Sequence, residues 1–174
     1  MAEPISNEIY WYCPDPRAIL DLKSFHISKS LRQKIKSNYF QFKINYNFEQ
    51  VMTKCSERKE TWISRDIIDS YVNLNTLGFA YSFEAYHNNK LAGGLYGVAI
   101  RGAFFGESMF HEVRDASKAA LVFLVETLNR CGYTLLDTQY ITDHLKRFGA
   151  FEIPKSEYIK KLETALQIFP DRLV

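Results

Sequence analysis

Three glycines fall within five residues, Gly93, Gly94 and Gly97, inside a stretch that otherwise patterns as β-strand. Glycine weakens a strand, so such a cluster needs a reason: a bulge, or a ligand or second backbone coming close to the sheet. The surrounding residues commit the middle of the chain to a meander. Ala80 to Tyr86 reads as one strand, and His87-Asn-Asn-Lys90 as a turn whose asparagines suit left-handed backbone. Leu91 to Ile100 is the second strand and Ala103 to Met109 the third, joined through Arg101-Gly102.

Helical periodicity flanks this meander. A short basic helix opens at Ser28, and Tyr39 to Tyr46 alternates as a strand with Phe40, Phe42 and Ile44 on one face. Asn47 and Ser64 are placed to cap two further helices, the second stopping at Gly78. After the meander, Asp115 or Ser117 opens a helix to Arg130, and Thr134 to Asp137 is a short buried strand. Ile141 to Phe148 is a helix, Phe151 to Ile153 a last strand, and Ser156 the cap of a final helix. Three meander strands followed by α-β-α-β imply an α/β (α+β) domain with a mixed sheet.

The bulk numbers exclude several classes. The chain has 174 residues, 47% apolar and 24% charged, an ordinary globular composition. No window holds the run of about 18 apolar residues that a membrane helix needs. Met1 to Tyr10 lacks the pattern of a signal peptide. Cys13, Cys55 and Cys131 have no CxxC spacing, so neither a disulfide framework nor a zinc site is expected, and reduced thiols fit the cytoplasm. The net charge is only +2, but it sums opposing blocks. Arg17 to Arg65 carries eleven lysines and arginines against four acids, and the segments on either side are net acidic.

Two constellations can carry chemistry. Phe104-Phe-Gly-Glu-Ser-Met-Phe110 is an apolar strand with Glu107 in its middle; a buried carboxylate is costly unless paired or used. Under strict alternation Glu107 shares a face with Phe105 and Met109. Asp137 and Gln139 end a buried strand, two apart and so on one side. Polar groups at a strand's carboxyl end are where α/β ligand sites form. An acid beside an amide can orient a reacting amine, although capping the next helix is an alternative use. No phosphate-binding GxGxxG or GxxxxGK[ST] loop occurs, and Ser108 does not lie in a GxSxG elbow. The histidines are isolated, and no metal site is expected.

Trp11-Tyr-Cys-Pro-Asp-Pro-Arg17, Phe25-His-Ile-Ser-Lys-Ser-Leu-Arg32 and Cys55…Arg58…Thr61-Trp-Ile63 form an ordered motif set. Gly93-Gly-Leu-Tyr-Gly-Val-Ala99, Phe105-Gly-Glu-Ser-Met-Phe110, Asp115-Ala-Ser-Lys118, Asp137-x-Gln139, His144-Leu145 and Gly149-Ala150 continue it. Together they resemble leucyl/phenylalanyl-tRNA–protein transferases from Trp11 to about Leu162. The resemblance implies an acetyltransferase-like (GNAT-like) domain with a mixed, mostly antiparallel sheet. It implies transfer of Leu or Phe from aminoacyl-tRNA to the α-amino group of proteins with N-terminal Arg or Lys, marking them for degradation. No cofactor is implied. The CoA-binding loop of that fold needs glycines that His111-Glu-Val-Arg-Asp-Ala-Ser117 lacks.

The resemblance also implies roles. Trp11 or Tyr12, Trp62, Phe104, Met109, Leu121 and Leu124 map onto an apolar pocket for the aminoacyl side chain and the terminal adenosine. Gln139, held by Asp137, orients the acceptor amine, and Glu107 lies near the acceptor's N-terminal Arg. The basic stretches, with Lys29, Arg32, Lys34, Lys36 and Arg58, are the expected tRNA surface. Relatives carry several tens of residues before the Trp11 motif and this chain only ten. Residues 1–65 are therefore expected to form a shortened N-terminal lobe, partly packed on a catalytic domain of residues 66–174. A cytoplasmic monomer that engages no membrane is expected. Two alternatives remain: a non-catalytic tRNA- or degron-binding module left by truncation, and an acyl-CoA-dependent N-acetyltransferase.

Overall fold

A computed structural model describes residue 10, residues 12–57 and residues 61–173. Seven strands and six helices are present among them. In chain order they are β1 (Arg17–Leu20), α1 (Lys29–Lys36), β2 (Gln41–Ile44), α2 (Phe48–Ser56), α3 (Arg65–Thr76), β3 (Ala80–His87), β4 (Lys90–Ile100) and β5 (Ala103–His111). Then come α4 (Ala116–Cys131), β6 (Leu135–Gln139), α5 (Asp143–Lys146), β7 (Ala150–Ile153) and α6 (Lys155–Ala165). No helix among the described residues is long and apolar enough to cross a membrane.

All seven strands form one sheet in the order β2-β3-β4-β5-β6-β1-β7. Only the β5–β6 pair is parallel. This is the mixed, mostly antiparallel sheet that the resemblance implied. The strand β1 has no counterpart in the sequence reading, because four residues are too few to show a period. It lies between β6 and β7, while β2 forms the opposite edge. Residues before Arg65 thus contribute two strands to the shared sheet.

Local chemistry sets the element ends. The Ser28 and Ser64 hydroxyls accept from the backbone N–H of Leu31 and Ile67. Asn47 stands at the start of α2 but bonds Gln50 with its side chain, and its own N–H goes to the buried Glu84 carboxylate. Asn88 and Asn89 take positive φ of 51° and 59° in the hairpin turn. The final helix begins one residue before Ser156, with Pro154 at its cap position; proline's fixed φ suits the approach to a helix start.

Helices cover both faces. The main apolar cluster joins α1, α4 and α5 to one face through Leu31, Leu121, Leu124, Leu128 and Leu145, against Phe83, Leu95, Phe104 and Leu136. The other face carries two separate clusters. Helices α2 and α3 cover Ala80, Tyr96 and Phe110, while α6 covers Ile19, Ala103, Leu135 and Ile153.

The glycines have structural reasons. A Cβ on Gly93 would lie 2.7 Å from the Ala116 Cβ, so glycine lets the start of α4 sit directly on β4. A Cβ on Gly97 would lie 2.3 Å from the Phe105 carbonyl oxygen. Gly97 also adjoins a bulge: Tyr96 pairs with Ser108 and Gly97 with Gly106, which leaves Glu107 as the extra residue.

Candidate functional site: a cleft between two carboxylates

The site forms where β5 and β6 part. Their parallel pairing runs from Ala103–Leu135 to Phe105–Asp137 and stops there. Beyond that point Glu107 stands on β5, and Asp137 and Gln139 on β6. On this face the α2–α3 cluster ends on one side and the α6 cluster on the other, so the parting lies between two helix layers.

The bulge at Glu107 corrects the expected alternation. Phe104 and Met109 pack on the α4 face although they differ in parity, while Phe105 and Phe110 pack on the opposite face. Glu107 accordingly meets α3: the Tyr71 hydroxyl donates a hydrogen bond to it. Its carboxyl is pushed up to about 7, first by burial and then by the nearby charge of Asp137; Tyr71 and Arg17 pull the other way. Burial in turn pushes the Tyr71 hydroxyl well above its ordinary value.

Asp137 has the opposite environment. It is fully buried, and donors fill its lone pairs. Arg17 Nε donates to Oδ1 at 3.0 Å and Nη2 to Oδ2 at 2.6 Å. The Tyr158 hydroxyl donates to Oδ2 at 2.5 Å, and the Gln139 N–H to Oδ1 at 2.8 Å. The Arg17 guanidinium also lies 4.9 Å from the centre of the Tyr158 ring. Burial opposes the Arg17 charge, but the hydrogen-bonded Asp137 outweighs it and raises the guanidinium further. Burial and Asp137 push the Tyr158 hydroxyl up as well.

Gln139 sits in unusual backbone. Ile19 pairs with Asp137 and Ala18 with Gln139, so Thr138 is an extra residue in β6. Gln139 has φ of 58°, and the Tyr140 N–H bonds the Thr138 carbonyl across it at 2.7 Å. A three-residue turn with positive φ at its centre is rare and strained, and such strain collects at functional sites. Two-residue alternation therefore does not relate Asp137 to Gln139. Asp137 holds Gln139 by its backbone N–H.

The other expected site residues are dispersed. Phe104, Leu121 and Leu124 are core residues beneath α4, and Met109 is a partly buried neighbour of the same cluster. Trp62 packs on the opposite face, against the same cluster as Tyr71, and Tyr12 is 58% exposed. Lys29, Arg32 and Lys36 are exposed on α1. Lys34 turns inward, donating to the Arg114 carbonyl at 3.0 Å and pairing with Asp115 at 3.5 Å. Trp11 and Arg58 lie outside the described residues. Sequence reasoning missed Tyr71, Arg17 and Tyr158 as parts of the site. Tyr71 showed only as an apolar-face residue and Arg17 only within the first motif, and nothing local marked Tyr158.

Fold and site together define an α/β protein with a mixed sheet and a polar site where two parallel strands part. A sequence model of the family described as Leucyl/phenylalanyl-tRNA protein transferase matches residues 19–163. The leucyl/phenylalanyl-tRNA–protein transferase of Herpetosiphon aurantiacus is 52% identical over 162 residues, covering 92% of this chain and 85% of that protein. The one from Salinibacter ruber is 46% identical over 171 residues, covering 98% of this chain and 76% of that protein. The chain belongs to the leucyl/phenylalanyl-tRNA–protein transferase family and is an enzyme.

Solved structures agree on the fold. The C-terminal domain of a putative lysylphosphatidylglycerol synthetase from Agrobacterium fabrum aligns with a TM-score of 0.57 at 10% identity, covering 86% of this chain and 64% of that one. L-PGS from Bacillus licheniformis gives 0.51 at 13% identity, covering 88% of this chain and 65% of that one.

Proposed function

We propose that this protein moves Leu or Phe from aminoacyl-tRNA to the α-amino group of proteins with N-terminal Arg or Lys, and so marks them for degradation, as a cytoplasmic monomer. The observation that carries the acceptor choice is Glu107, a half-buried carboxyl at the cleft with its affinity for protons raised to about 7. A carboxylate strained by burial gains most from a cationic partner, and the side chain of an N-terminal Arg or Lys is one.

In this reading the acceptor's neutral amine attacks the ester carbonyl of the aminoacyl-tRNA. A C–N bond forms, the C–O ester bond breaks, and the proton lost by nitrogen ends on the tRNA's terminal hydroxyl. The ester is already activated, so holding the amine and carbonyl in line supplies much of the rate. Gln139 offers the polar contact that orients the amine. Asp137 has no lone pair left to take a proton, so its part is to hold Gln139 in the strained turn. Of the residues the resemblance assigns to the aminoacyl and adenosine pocket, Trp62 lies on the face of Glu107, whereas Phe104, Leu121, Leu124 and Met109 pack beneath α4 on the other, so the Leu or Phe side chain is taken up through Trp62 and its apolar neighbours on the Glu107 face. The exposed stripe of Lys29, Arg32 and Lys36 meets the tRNA backbone.

The acyl-CoA alternative is disfavoured by Asp115. Its carboxylate stands at the N-terminus of α4, held by Lys118 at 3.0 Å, where a pyrophosphate would bring like charge. Labelled Leu-tRNA incubated with a peptide starting in Arg tests the reading. Label is expected on that peptide and not on its counterpart starting in Glu. Retained tRNA binding with no label on either peptide would leave only the binding-module alternative.

A further inference from the structure

A separate hollow lies at the β2 edge of the sheet. It is an open cavity of about 320 Å³. That is the low end of the roughly 300–1,000 Å³ range of small-ligand sites, room for a nucleotide rather than for a protein segment. Its walls come from the α1–β2 connection (Asn38, Tyr39), the start of β2 (Gln41) and the β3–β4 hairpin (His87, Asn88, Asn89).

Three properties of these walls converge. First, the Tyr39 and His87 rings stack with centroids 4.1 Å apart and planes 15° from parallel. The pair is fixed rather than loose. His87 Nδ1 donates to the Tyr39 carbonyl at 3.0 Å, and the Asn88 amide donates to Nε2 at 3.3 Å. Tyr39 nevertheless remains 37% exposed, so the stack does not serve to seal the core. Second, Asn38, Gln41 and Asn89 supply amide donors and acceptors at the same hollow. Third, the surroundings are cationic. Lys34 Nζ lies 4.6 Å from the centre of the Tyr39 ring, and Lys43 Nζ lies 3.2 Å from that of Tyr46 further along β2. Residues 28–48 contain five lysines and arginines and no acid, and residues 85–106 also lack any acid.

Aromatic faces, amide edges and nearby lysines and arginines, although Lys34 is also paired with Asp115, are the chemistry that holds an unpaired nucleobase with its phosphates. We propose that this hollow is a second RNA-binding site, which takes one unpaired base of the bound tRNA other than the terminal adenosine at the cleft. The base stacks on the Tyr39–His87 pair and meets the amides of Asn38 and Gln41. The exposed stripe of α1, which leads directly into Asn38, holds the adjoining phosphates. This inference rests on the tRNA donor of the preceding section.

Two donors separate it from that reading: Leu-tRNA, and 3′-O-leucyl-adenosine, which carries the reacting ester without the rest of the tRNA. In His87→Ala and in Tyr39→Ala, KM for Leu-tRNA should rise about tenfold, as expected for one lost base–aromatic stack. KM for leucyl-adenosine should stay at the wild-type value. Gln41→Ala keeps the aromatic pair and guards against a folding failure; its KM should rise about threefold, for Leu-tRNA alone. An unchanged KM for Leu-tRNA, or an equal rise with both donors, overturns the proposal. Should the wild type transfer leucine from neither donor, the transferase reading fails, and filter binding of uncharged tRNA decides the hollow. Tenfold weaker binding by His87→Ala then upholds it, and unchanged binding overturns it.

Discussion

Two carboxylates face each other across the parting of β5 and β6, and their surroundings could hardly differ more. Asp137 is fully buried with every lone pair engaged by Arg17, Tyr158 and the Gln139 N–H. Glu107 is half-buried, takes a hydrogen bond from Tyr71, and resists ionisation up to about 7. One carboxylate has its lone pairs filled by protein donors, and the other is left with Tyr71 and a burial that opposes its charge. The difference teaches that burial alone does not mark a catalytic acid or base. What matters is whether the lone pairs are already satisfied.

Removing the satisfied carboxylate should do the most damage. Asp137→Ala leaves the Arg17 guanidinium in the interior without its partner, and breaking such a pair costs about 3–5 kcal/mol. Urea denaturation should show a loss of that size, and transfer to an Arg-peptide should vanish. A loss below about 1 kcal/mol would mean that Arg17 is better hydrated than the geometry shows.

Glu107→Gln should behave in the opposite way. The folded chain keeps a proton on Glu107 up to about 7, while the unfolded chain releases it near 4.5. Stability carried by that proton is therefore full below 4.5 and lost as the pH rises to about 7. The substituted amide does not titrate, so the variant should match the wild type at pH 5 and melt a few degrees higher at pH 8. Transfer to the Arg-peptide should still fall, with the wild-type decrease of KM through pH 7 abolished. Thermal melts at the two pH values, read beside acceptor KM, check both halves. A variant less stable than wild type at pH 8 would contradict the frustrated-carboxyl account.

Tyr158→Phe is the gentlest break. It removes one hydrogen bond to Asp137 and keeps the ring beneath Arg17, which costs about 1 kcal/mol. If Tyr158 helps to hold the Gln139 turn, kcat should fall several-fold while KM for both substrates stays put. A change in KM alone would assign Tyr158 to substrate binding instead.

The meander, the basic helix, the serine caps of α1 and α3 and the stop at Gly78 follow from neighbours in sequence, and local patterning resolved them. Glu107, Asp137 and Gln139 stood out as polar residues in apolar strands. Their relation to one another did not, because each β-bulge moves a side chain by one position and leaves no mark in the period-two pattern. Arg17 and Tyr158 lie 120 and 21 residues from Asp137, and no spacing rule spans such distances.

The sequence by itself determined most of the elements, β1 excepted, the unequal distribution of charge and, through its ordered motifs, the family. Backbone preference, side-chain period and motif order are all properties of neighbouring residues. Only the tertiary structure decided that β1 enters the sheet beside β6 and brings Arg17 to Asp137. It also decided that the glycines admit the start of α4 and adjoin a bulge, and that one of two similar carboxyls is satisfied while the other is not. Those outcomes depend on which distant groups meet in the folded chain, and the proton affinity of a buried carboxyl is set by the groups that surround it.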